Sequence, residues 1–390
     1  MLMIPVFSAH AFEDISRVAK VLHSGVLSER TMVEQFRGEL QRLFGHEHVV
    51  PLNSCTSAIT LALRLLGVGP GDEVVSTPFT MIATNCAIAA LGAKIVWCDV
   101  DPATFSADMK SVYARITPAT KAAVLTCVGG VTPDHLDGYP PDAPPLVIDG
   151  AHSFMTSYRG THISHWGDYT CFSFQSIKHL TTGDGGALAV NSRRLAGVDP
   201  SWFPGIAPVE QNYLRADRMK WFGISRTAPP GMSRLEHQMK SDIVEFGYKF
   251  HMNDLAAALG LSCIDKALAA VQRSREHAAF YQRAFAGVPG LTRVVVPEGC
   301  APAWWIYGML AADADGLIEH CAAHGIETTR LWRRNDTYSC FRESAGTPLP
   351  GMDTVAGHAV FIPSGWWVTD SDRDTIAEQV IRFQQHHAAS

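Results

Sequence analysis

The sequence predicts an α/β protein: a large domain around a mostly parallel central sheet, then a smaller C-terminal α+β domain. Three observations point there. Strand and helix patterns alternate in βαβα order up to Asp149, the pattern of a parallel sheet covered on both faces by helices. Beyond Asp149 the order breaks into two strands around a Gly-rich loop, an irregular stretch, a long helix and a strand–helix–strand–helix tail. Finally, the 390 residues are 47% hydrophobic and 18% charged, which excludes disorder and supplies a large core. At about 150 residues per domain, the length fits more than one unit. We place the large domain at 1–260 and the smaller one at 261–390.

The elements follow in order. Phe12 to Ser24 reads as an amphipathic helix with Ile15, Val18, Ala19 and Leu22 on one face. A second helix spans about Met32 to Phe44. His48 to Leu52 is a strand, Thr56 to Leu66 a helix, Glu73 to Thr77 a strand, Thr80 to Leu91 a helix and Lys94 to Val100 a strand. Asp108 to Arg115 is helical, and Ala122 to Cys127 and Leu146 to Asp149 are strands. Tyr169 to Phe174 and Gly186 to Asn191 are the strands flanking the Gly-rich loop. Residues 200–245 are irregular, and Asp254 to Ala286 is mostly helical. The tail, from about Leu291, carries helices at Asp315 to His324 and Asp370 to His386.

Several function classes drop out early. The net charge of −6 disfavours nucleic acid and anionic membrane as partners. No apolar run reaches the roughly 18 residues of a membrane span, and Met1 to Phe7 lacks the basic and apolar regions of a secretion signal. The nine cysteines are scattered, with no C-x-x-C pair, so a disulfide framework or zinc site is not expected and a reducing cytoplasm is. No bound metal is expected. His46-Glu47-His48 lacks zincin spacing and reads as surface. There is no P-loop, no G-x-G-x-x-G after a strand and no G-x-S-x-G elbow.

Three features carry chemistry. Asp149 ends the apolar strand Leu146-Val147-Ile148-Asp149, where open α/β sheets form their ligand crevice; a helix-capping role is the plain alternative. Lys178 lies between a strand and the glycines at 183, 185 and 186. It is either a solvated loop charge or a buried amine fit to form a Schiff base. Asn53-Ser54-Cys55-Thr56-Ser57-Ala58 opens a helix, which is either an ordinary cap or a phosphate site. Together the three match what pyridoxal 5'-phosphate needs: an amine for its aldehyde, a carboxylate for its pyridine nitrogen and a helix N-terminus for its phosphate.

With these residues in view, the sequence resembles the DegT/StrS family of pyridoxal-phosphate-dependent sugar aminotransferases, of fold type I. The similarity runs from about Ile4 to the C-terminus. It is carried by Ser54-Cys55-Thr56-Ser57-Ala58, Gly67 to Val74, Asp99-Val100-Asp101-Pro102, Thr117 to Ala122, the Asp149 segment and Ser173 to Gly186. The resemblance implies Lys178 as the Schiff-base lysine and acid/base, and Asp149 as partner of the pyridine nitrogen. It puts His152 beside the ring hydroxyl and Thr56, Ser57 and Ser173 at the phosphate. Gly247 to Asp254 resembles the segment that reaches a neighbouring subunit, with Lys249 where the family usually has a phosphate-binding Asn. Met81 stands where the family stacks an aromatic ring on the cofactor, a softer cover.

The function implied is transfer of an amino group from an amino acid such as glutamate to a keto-sugar, nucleotide-linked, by a ping-pong mechanism in a homodimer with shared active sites. The alternatives are another pyridoxal reaction on the same scaffold, such as dehydration with His179 in the lysine's place, action on a cyclitol or other keto substrate, or a non-catalytic regulatory protein. Arg215, Arg218, Lys220 and Arg226 either meet a diphosphate or form a solvated surface.

Overall fold

The computed structural model describes residues 3–197, 199, 203–226, 231–344 and 346–388. The chain begins with α1 (Ser16–Ser24), α2 (Thr31–Phe44), β1 (Val49–Leu52), α3 (Cys55–Leu65), β2 (Glu73–Ser76) and α4 (Ile82–Ala90). It continues with β3 (Lys94–Trp97), α5 (Met109–Ala114), β4 (Thr120–Thr126), β5 (Leu146–Asp149), β6 (Ser157–Tyr158), β7 (Thr161–His162), β8 (Tyr169–Ser173) and β9 (Gly186–Val190). Then come α6 (Pro208–Met219), α7 (Arg234–Lys240), α8 (Asp254–Ala284), β10 (Leu291–Arg293), β11 (Cys300–Ala301) and β12 (Tyr307–Ala311). The chain closes with α9 (Ala314–Ala323), α10 (Pro350–His358), β13 (Ala359–Ile362) and α11 (Asp370–Ala388).

Seven strands form the central sheet in the order β1-β9-β8-β5-β4-β2-β3. The pairs β3/β2, β2/β4, β4/β5 and β5/β8 are parallel. Only β9 runs against its neighbours, β1 and β8. The middles of the parallel strands are mostly apolar because both faces are covered, and successive residues alternate between two cores. Val74, Val124 and Val147 enter one core, while Val75, Leu125 and Ile148 enter the other. The α/β class expected from the βαβα order is therefore the class observed.

The tail forms a three-stranded antiparallel sheet with β12 between β10 and β13. Helix α8 runs unbroken from Asp254 to Ala284, across residue 260. Its first residue also acts at a distance: the Asp254 carboxylate accepts the N–H groups of Arg30 (2.7 Å), Met32 (3.3 Å) and Val33 (3.2 Å). These are the orphan donors at the start of α2, which has no cap of its own.

Three sequence expectations change. Of the apolar face expected on the first helix, Ile15 (60%) and Leu22 (55%) are exposed, while Val18 and Ala19 are half-buried. Val21 is buried instead and Val18 packs beside it, a pair three apart that meets α8. His46 is not a surface residue: the left-handed turn at Gly45 tucks its ring under the sheet edge, 2.7 Å from Asn191 Oδ1. The stretch 200–245 contains α6 and α7, although its residues 200–202 and 227–230 lie outside the described ones.

Three of the four cations considered for a diphosphate in that stretch are already paired. Arg215 is buried against Glu245 (2.8 Å). Lys220 is buried against Glu29 (2.5 Å) and Asp217 (2.7 Å), and Arg226 also holds Glu29 (2.6 Å). Arg218 lies over the Phe203 ring. Among the described residues, no helix is long and apolar enough to cross a membrane.

Candidate active site

A cavity of about 370 Å³ opens at the carboxyl ends of β4, β5 and β8, below the N-termini of α3 and α4. Its floor includes Thr126, Asp149 and Ser173, the last residues of those three strands. This is where an open parallel sheet leaves a crevice, because helices cover its faces and not its strand ends.

Asp149 is buried at the base of the cavity. Thr84 Oγ1 donates to its Oδ2 at 2.6 Å, and the Ala151 N–H donates to Oδ1 at 3.1 Å. The Cys55 thiol approaches Oδ1 at 3.8 Å. Burial pushes the carboxyl above its usual range, while these donors pull it back. Behind Thr84 stands a chain of hydroxyls. Thr84 gives its proton to Asp149, so Thr80 Oγ1 must donate to Thr84 at 3.0 Å, and Thr126 Oγ1 donates to Thr80 at 2.9 Å. Each link polarises the next toward the carboxylate.

Lys178 lines the same cavity. Burial lowers its ammonium to about 7, against the favourable charge of Asp149 and a smaller effect of Cys55. A substantial fraction of the amine is therefore neutral, and so nucleophilic, at neutral pH. Its Nζ sits 3.6 Å from the centroid of the Trp305 ring. His152 stacks on that same indole at 3.8 Å, and Trp332 lies 5.4 Å from His152. Burial drives His152 well below the usual histidine range. Its Nδ1 accepts the Gly129 N–H at 3.2 Å, so the neutral ring carries its proton on Nε2. Gly129 has φ 64°, and a side chain there would meet the Ile306 carbonyl at 2.8 Å.

The third wall is the start of α3. Ser54 caps it, accepting the Ser57 N–H at 3.0 Å. The N–H groups of Cys55 and Thr56 have no acceptor among the described residues, so they are free to bind an anion. Gly186 lets β9 close on this turn: a Cβ there would lie 2.5 Å from Ser54 C and 2.6 Å from Cys55 N.

Six sequence-selected residues, Lys178, Asp149, His152, Thr56, Ser173 and Met81, line this one cavity. Met81 sits at the mouth, 52% exposed. Two do not line it. The Ser57 hydroxyl turns back to Asn53 Oδ1 (2.6 Å) and receives the Ser54 hydroxyl (2.9 Å), so it builds the turn and leaves Ser54 on the cavity wall. Lys249 is exposed, its Nζ 6.0 Å from the Trp221 ring. His179 is no substitute for the lysine: its buried ring faces Ser274 Oγ at 3.2 Å, away from the cavity.

With that geometry in view, comparison with known proteins is informative. Residues 9–381 match the DegT/DnrJ/EryC1/StrS aminotransferase family. The chain belongs to this family. The aminotransferase is similar to AtS13 from Actinomadura melliaura, whose crystal structure superposes with a TM-score of 0.88 at 35% identity, over 98% of this chain and 99% of that one. The sugar aminotransferase CalS13 from Micromonospora echinospora superposes with a TM-score of 0.85 at 32% identity, over 97% and 100% of the two chains. The dTDP-4-dehydro-2,3,6-trideoxy-D-glucose 4-aminotransferase of Saccharopolyspora spinosa is 29% identical over 385 residues, 96% of this chain and 95% of its own.

The cavity of this aminotransferase also holds residues the sequence did not single out. Thr84 and Thr80 fall inside an apolar helix start, and no local pattern ties them to Asp149. Trp305 and Trp332 come from the C-terminal part of the chain, and no local pattern connects them with the cavity.

Proposed function

We propose that the aminotransferase moves an amino group from an amino acid, glutamate, to a nucleotide-linked keto-deoxysugar in two ping-pong half-reactions, with pyridoxal 5'-phosphate as cofactor. The observation that carries this reading is the single cavity: an amine that titrates at about 7, a buried carboxylate at its base and an open helix N-terminus at its wall. That donor set fits a phosphorylated pyridine aldehyde. Bound, the cofactor supplies an aldehyde for the amine and an electron-accepting ring.

The chain's own groups divide the work. Lys178 would hold the cofactor's aldehyde through its neutral amine and, once free of it, would carry a proton between carbon atoms. Asp149, to which Thr84 donates, would pair with a ring N–H, and that pairing would offset the cost of its burial. His152, its Nδ1 occupied by the Gly129 N–H, would offer Nε2–H to the ring oxygen. Thr56, Ser173, the Ser57-braced turn and the free N–H groups of Cys55 and Thr56 receive the phosphate. Met81, at the mouth, would cover the ring.

The substrate class is supported by the names of the relatives, above all the dTDP-keto-sugar aminotransferase from Saccharopolyspora spinosa. We read the working form as a homodimer in which Lys249 of one copy reaches the other's phosphate site. Supporting this, Leu235 (71% exposed), Met239 (79%) and Phe246 (64%) present apolar surface in the stretch of chain that leads to Lys249. The nine free cysteines support a cytoplasmic setting. The test is Lys178→Ala, which should fold as the wild type yet lose transamination of any keto-sugar; full activity in that variant contradicts the reading.

A further inference from the structure

Trp305 has no role in the mechanism so far, yet its indole is fixed on several sides. It follows Trp304, whose φ of 56° is uncommon for a bulky residue. Nε1 donates to the Ile177 carbonyl at 2.9 Å, one residue before the lysine. Phe7 stacks on the indole at 4.8 Å and His152 at 3.8 Å. Lys178 Nζ lies over the ring at 3.6 Å, well inside the roughly 6 Å reach of a cation–π contact. We propose that Trp305 is a positioning residue for Lys178: its π face seats the lysine ammonium whenever that side chain is not in covalent linkage, and so keeps the transferable proton in place.

The chemistry calls for such a seat. In each half-reaction the free amine takes one proton from carbon and returns one to carbon, so between the two it stands as an ammonium. Burial opposes that charge. The titratable groups around the lysine are Asp149, Cys55 and His152, with His179 next in the chain and turned away, and Asp184 exposed at the cavity rim. The Cys55 thiol is pushed up and stays neutral, and both histidines are pushed down and stay neutral, His179 to about 3. Asp149 faces the lysine but is committed to the ring nitrogen in the reading above. The indole face stabilises the ammonium without a second ion, so the proton is held yet not trapped in a salt bridge.

The inference rests on the aminotransferase reading for its purpose, but the contact is testable without any catalysis. The pH dependence of Lys178 acylation by a small amine-reactive reagent, read on its own peptide by mass spectrometry, gives the titration of this amine in the full-length cofactor-free chain. Trp305→Leu should move that titration down by about one pH unit, and Trp305→Phe by less. Wild-type chain grown on fluorinated tryptophan keeps its shape and should move the same way, which covers the case of a Leu variant that does not fold. The acidic limb of the kcat profile of the loaded enzyme should follow. If the Leu variant and the fluorinated chain both titrate as wild type, the proposal is overturned, whatever happens to activity. A downward shift in a chain that never transaminates supports the seat and removes the aminotransferase reading instead.

Discussion

Asp149 sits where a carboxylate is costly, and the hydroxyls of Thr84, Thr80 and Thr126 are arranged so that each donates toward it. A hydrogen bond to a charged group contributes about 1.5–3 kcal/mol. Thr84→Val should therefore weaken retention of pyridoxal phosphate roughly tenfold or more, measured by equilibrium binding, while Thr84→Ser should restore most of it. Lys178 makes a prediction in pH. With its ammonium lowered to about 7, the neutral fraction rises as pH climbs through that value. The rate of cofactor capture by the cofactor-free chain should rise about tenfold between pH 6 and pH 8 and then level off. An unperturbed lysine would show a rise of about a hundredfold over the same interval and level off only above about pH 11.

Among the elements, α6 shows how far the chain could be read in advance. Lys220 was visible as a cation, but the partner that removes it from the solvent, Glu29, is 191 residues away. Its burial between Glu29 and Asp217 makes α6 a strut under the site segment rather than a substrate arm. Lys220→Met leaves those carboxylates short of one cation and should cost about 3 kcal/mol in urea unfolding. A loss below 1 kcal/mol would place that charge in solvent. The same principle separates what was legible at the site from what was not. Lys178, Asp149 and Thr56 mark local events, a strand end or a helix start, and local sequence announces those. Trp305 reaches Ile177 across 128 residues, and the outward turn of Ile15 and Leu22 depends on which face of α1 meets α8. Such contacts are set by tertiary packing, which a local pattern does not encode.

The molecule as a whole is organised by its sheet. Two cores lie on its faces, the parallel strands β4, β5 and β8 end together at the cavity, and antiparallel β9 brings Gly186 against the helix start that would hold a phosphate. The exposed apolar residues of 235–246 predict association. The 42.4 kDa chain should sediment at about twice its mass, and Leu235→Glu with Met239→Glu should shift it toward the monomer. A wild-type chain that sediments as an active monomer contradicts the shared-site arrangement.

The central claim is that Lys178 works through pyridoxal phosphate to accept an amino group from glutamate. The absorbance spectrum of the purified protein, loaded with pyridoxal phosphate, tests it most directly. The account predicts a visible band that bleaches when glutamate is added and returns when a 2-oxo acid is supplied. A chain that forms no band with the cofactor, or forms one that glutamate leaves unchanged, contradicts it.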